Sequence, residues 1–198
     1  MSSLVEMLTA QLGSGQALGQ LSRQLGADEG STQNALGAAL PVLLGALARN
    51  TAQSNGAQSL DQALGKHDGG ILDNLTGFLG APDVDDGNGI LRHMLGDRRS
   101  SVESGVSKAS GLDPSMIAKL LPLLAPIVMG ALGRQKREKK LDPTGLSKML
   151  GAERQQIEAA NPAAGMLGQL LDQDGDGSVA DDIAKLGGGF LGSLFKRR

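Results

Sequence analysis

The 198-residue chain contains no cysteine, tryptophan or tyrosine, and only three phenylalanines, Phe78, Phe190 and Phe195. Without cysteine there can be no disulfide, no thiolate metal site and no cysteine nucleophile. Two histidines, His67 and His93, are too few for a multi-histidine metal cluster. The scarcity of aromatic rings removes the large anchors that concentrate binding energy at tight interfaces. It also removes the stacking platforms of single-strand nucleic-acid binders. Neither charge sign dominates: 19 Lys and Arg face 21 Asp and Glu, for a net charge of −2. The chain as a whole is therefore no general attractor of nucleic acid or acidic lipid.

Leucine, alanine and thirty glycines are abundant instead. Such a core lets backbones approach closely. The first residues, MSSLVEMLTAQLG, have no basic region and carry Glu6, so they do not read as a signal peptide. The most apolar run, Leu120 to Gly133, is 14 residues long, short of the ~20 that a membrane span needs. A buried core helix and a cytoplasmic location are expected.

The chain repeats itself at an interval of 85 residues. GAALPVLLGALAR (Gly37–Arg49) aligns with PLLAPIVMGALGR (Pro122–Arg134) with five identities, Pro41 on Pro126 among them. Upstream, Gly26 and Asp28 fall on Gly111 and Asp113; downstream, Ser59–Gly65 pairs with Gly145–Gly151 at an offset of 86. Asp113 followed by Pro114 predicts a helix start. Met116, Ile117, Leu120, Leu121 and Leu124 supply one apolar helical face. Pro41, Pro122 and Pro126 lie inside helical patterns, and each is expected to kink or break its helix. The run is apolar on every side, which predicts the central buried helix of its repeat. No alternating run of strand length occurs, so no sheet is expected.

Between the repeats, Gly80–Gly89 (GAPDVDDGNG) reads as an acidic, turn-rich connector, flanked by short helices at Ile71–Leu79 and Ile90–Leu95. Glu153–Asn161 reads as an exposed helix stopping before Pro162. The expected fold is an all-α multihelical bundle of long and short helices. It divides into a first repeat (1–80), a second repeat (81–151) and a C-terminal segment (152–198).

The opening Gly87, Ile90, Leu91, His93, Leu95, Gly96, the SGLD turn at Ser110–Asp113 and the block LLPLLAPIVMGALG occur in that order. In these features the chain resembles the bacterial YidB-like family, domain of unknown function 937, from about residue 20 to 185. The acidic DQDGDGSVADDI segment near the C-terminus also looks like the longer members. The resemblance implies a bundle of longer and shorter helices. It implies no activity, and it carries over no catalytic residue.

The segment with the clearest chemistry is Asp172–Ile183. Asp172, Asp174 and Asp176 stand at positions 1, 3 and 5 of a loop that can wrap a cation; Gly177 at position 6 permits the sharp turn, and Ser178 at position 7 offers a backbone carbonyl. These are the calcium-loop requirements of an EF-hand. The departure is at position 12, where Ile183 replaces the bidentate glutamate. Asp182 is the nearest substitute, with Asp181 behind it, and a shorter exit could bring it to the metal. Calcium is the expected ion, with magnesium as a competitor. The plainer reading is a solvated acidic turn capping two helices. Five aspartates in eleven residues repel one another, however, and a cap needs one or two.

Four other features carry weaker signals. Arg134, Lys136, Arg137, Lys139 and Lys140 form a basic run that reads as a solvated loop complementing a helix C-terminus rather than a phosphate site. Ile183, Leu186, Phe190 and Leu194 share a helical face ahead of Lys196–Arg198; they would dock on a partner, touch a membrane surface or fold onto the bundle itself. Three consecutive glycines, Gly187–Gly189, favour a hinge there. Nothing in the sequence supplies His93 with a nucleophile or an orienting acid, and His67, beside Asp68 and two glycines, reads as a loop residue. Asp83, Asp85 and Asp86 lack the position-5 carboxylate of a second loop.

The leading expectation is a non-enzymatic helical interaction or assembly protein, through a protein partner or self-association, with no nucleic-acid role. Calcium would order its C-terminal helix. The alternative is a cation-independent structural protein that self-associates or contacts membrane through its tail.

Overall fold

The computed structural model describes residues 3–160, and among these every regular element is helical. Met1–Gln156 form one compact unit; Ile157–Arg198 form another, of which the described part is the last four residues of a helix.

Local chemistry places the helix starts. Helix α1 (Leu4–Leu12) opens on a capping box: the Ser3 hydroxyl accepts from the Glu6 amide at 3.1 Å, and the Glu6 carboxylate accepts from the Ser3 amide at 3.0 Å. Its Leu4, Leu8 and Leu12, four apart, are buried. Helix α2 (Gly15–Leu25) ends at Gly26, whose φ of 71° lies in the left-handed region that favours glycine. Asp28 then caps α3 (Glu29–Ala52), accepting from the Ser31 amide at 2.8 Å. The α2–α3 corner is tied by a buried chain in which Ser22 donates to the Thr32 hydroxyl and Thr32 donates to the Asp28 carbonyl. Helix α4 (Gly56–Leu64) follows, then the short α5 (Gly70–Asp73) and α6 (Leu75–Gly80).

Helix α7 runs Val84–Leu95, so the stretch expected to be an acidic connector is helical from Val84 onward. The residues that read as turn signals are the helix start itself. The Asp83 carboxylate accepts from the Asp86 amide at 3.0 Å, and Asp85 and Asp86 sit in the first turn, where the helix dipole favours negative charge. After one 3-10 turn come α8 (Arg99–Ser110), closed by Gly111 at φ 77°, and α9 (Pro114–Glu138). Asp113 caps α9 through the Ser115 amide at 2.8 Å, with Pro114 in the first turn as expected. Helix α10 (Pro143–Ala160) reuses the device: the Asp142 carboxylate accepts from the Gly145 amide at 2.7 Å. It therefore begins ten residues before the expected Glu153.

Of the kink or break expected at the internal prolines, no break occurs: α3 is continuous through Pro41 and α9 through Pro122 and Pro126. Each proline removes one bond, to the carbonyl four residues back. For Pro41 that carbonyl belongs to exposed Gly37, within reach of solvent. For Pro126 it belongs to Pro122, and there α7 supplies a substitute. A Cβ built on Gly87 would stand 2.0 Å from the Pro122 oxygen, so the glycine instead points a Cα hydrogen at it.

The core is built on the two long helices. Every residue of α9 from Leu120 to Gly133 is buried, as the central-helix expectation required. Helix α7 lies along α9 and α8 lies along α3, while α3 and α9 also touch each other. At the far end of α9, small residues admit a loop: Gly130 faces Ile71, and Gly133 faces the His67 carbonyl, where a Cβ would be 1.8 Å from the oxygen.

Both α3 and α9 are long and apolar enough to cross a membrane by length and composition. Within their most apolar windows, however, 56% of α3 and 83% of α9 is buried against neighbouring helices. The core therefore already uses most of the α9 window and just over half of the α3 window.

Candidate functional site

The expected cation ligands Asp172, Asp174, Asp176, Ser178 and Asp182 lie outside the described residues, as do Ile183, Leu186, Phe190, Leu194 and Phe195 of the tail. Among the described residues, no group of three or more His, Asp or Glu side chains is arranged to hold a metal ion.

The basic run is only partly a loop: exposed Lys139 and Lys140 lie beyond the helix, at its C-terminal end as expected. Arg134, Lys136 and Arg137 are in α9, which continues to Glu138. Arg134 donates to the Gly69 carbonyl at 2.8 Å and to the Asp73 carboxylate at 2.6 Å, fastening α5 to α9. Lys136 pairs with the Asp61 carboxylate at 2.6 Å and donates to the Asp61 carbonyl at 3.0 Å, fastening α4. These cations are structural ties, and a phosphate would have to displace carboxylates to reach them. The helix closes with Lys140 at φ 50°, while the Leu141 amide donates to the Lys136 carbonyl at 2.9 Å. This is a Schellman ending with lysine where glycine is the favoured residue.

The histidines serve packing through their backbones. His93 is exposed on the last turn of α7, and its carbonyl and that of Met94 accept from the Asn50 side chain at 3.4 and 2.9 Å. The carbonyl of half-buried His67 lies against Gly133. Asp83 is occupied as a cap. Among the described residues, two carboxyls are held below the ordinary value of 3.8, and both are helix caps. Asp28 is lowered chiefly by the bond from the Ser31 amide, and Asp113 by the Ser115 hydroxyl and then the Ser115 amide. Neither is poised for proton transfer.

Among the depressions on the surface of the first unit are two that border α1. One, beside α1, is lined by Val5, Glu6, Thr9, Ala10, Gly13, Ser14 and Gln33; it is largely apolar and open to solvent. The other lies between α1, the end of α9 and α10, among Met7, Gln135, Lys139, Met149 and Glu153. It encloses about 90 Å³. That is room for a few waters, against the ~300 Å³ at which small-molecule sites begin. Glu153 is engaged at its wall, accepting from the Val5 amide at 3.0 Å. Sequence reasoning missed Arg134, Asn50 and Gly87 as tertiary ties. The signal for Gly87 was visible as a glycine inside a segment that also carries a helix cap.

Among known proteins, the family described as "Bacterial protein of unknown function (DUF937)" matches residues 6–135, from α1 to near the end of α9. Neither the curated proteins nor the solved structures contain a match.

Proposed function

The chain belongs to the DUF937 family of bacterial proteins of unknown function, and from its own residues we propose that it is a non-enzymatic helical interaction or assembly protein whose Asp172–Ile183 segment binds calcium. The observation that carries this reading is the spacing of Asp172, Asp174 and Asp176 ahead of Gly177. Three carboxylates two residues apart repel one another until a small hard cation neutralises them. Asp182 and the Ser178 carbonyl complete the set, and magnesium competes because the bidentate glutamate is missing. Charge neutralisation then orders the helix that carries Phe190 and Phe195, which engages a protein partner or a second copy in the cytoplasm.

In the same proposal the helical body is a tandem of two repeats. Support comes from pairs of residues 85 apart that do the same work: Asp28 and Asp113 cap the long helices, and Gly26 and Gly111 turn into them. The cross-links correspond as well. Lys136 on α9 binds Asp61 on α4, and the matching Thr51 on α3 accepts from Ser147 on α10 at 3.3 Å.

The test is calorimetric titration of calcium chloride into the full chain and into Asp174→Ala. Saturable heat is expected in the first and its loss in the second. No calcium-dependent heat at millimolar concentrations would sink the cation reading. Sizing chromatography in calcium and in chelator then separates cation-driven assembly, which shifts the elution volume, from self-association that ignores the ion.

A further inference from the structure

We draw no further inference here: the strongest candidate, the open apolar groove beside α1 lined by Val5, Thr9, Ala10, Gly13 and Gln33, is an unpartnered face, and nothing in the structure shows what covers it.

Discussion

Replacing glycine by alanine should have opposite effects at two kinds of helical site in this protein. In an exposed helix interior the change stabilises, because alanine is the better helix former by ~0.8–1.0 kcal/mol. Gly105 in α8 is such a site: it is exposed, and an added Cβ meets nothing within 4 Å. At Gly133 the Cβ would fall 1.8 Å from the His67 carbonyl oxygen, and at Gly87 2.0 Å from that of Pro122. Ordinary contact begins at 3.4 Å, so backbone must retreat by roughly 1.5 Å. The obstacle is main chain in both cases, so no rotamer change can relieve it. Overpacking of this kind costs about 1–3 kcal/mol or more, which outweighs the propensity gain. Gly105→Ala should therefore raise the melting temperature by ~2–4 °C. Gly133→Ala and Gly87→Ala should lower it, with a swing of about 1–3 kcal/mol between the two classes in urea unfolding. If Gly133→Ala were as stable as Gly105→Ala, the close docking of the α4–α5 loop on α9 would be wrong.

Other substitutions probe the caps and ties. Lys140→Gly relieves a left-handed backbone and should stabilise by about 0.5–1 kcal/mol, after allowing for glycine's larger unfolded-state entropy; an unchanged or lowered urea midpoint would refute the Schellman assignment. Asp28 and Asp113 have folded pKa values below 3.8, so the stability they add is complete above that value and disappears as pH falls through the folded values. The pH dependence of unfolding between pH 2 and 5 should flatten in Asp28→Asn/Asp113→Asn, because asparagine caps without titrating. A slope identical to wild type would show that other carboxylates govern it. Arg134→Ala removes the ties to Gly69 and Asp73 and should speed amide exchange at Leu72, on α5, more than at Leu36, in the core of α3.

Much of this architecture could be read from residue order alone. Asp113-Pro114 announced α9, and the unbroken apolar run to Gly133 announced its burial on all sides. The errors have a common cause in tertiary structure. Proline and Asp-Asp-Gly-Asn-Gly carry strong local meanings, as breaker and as turn. Inside α9 the carbonyl left by Pro126 is met from another helix, and at α7 the same acidic residues form a cap. A local rule cannot register a partner that arrives from 35 residues away, as Gly87 does for Pro122. Two residues of the basic run depart for a similar reason: Lys136 and Arg134 look solvated until Asp61 and Asp73 are brought beside them. The candidate cation ligands were legible only as a spacing, and they lie outside the described residues.

The interleaving of the helices bears on how the chain is made. Helix α3 lies against α8 and α9, which are encoded up to Glu138, 86 residues after Ala52. At ~5–20 residues per second, a ribosome would need roughly 4–17 s to deliver them. Early in that interval the flank of α3 that will meet α8 and α9 has only α1, α2 and α4 beside it, a window in which a chaperone would find an accessible oily helix.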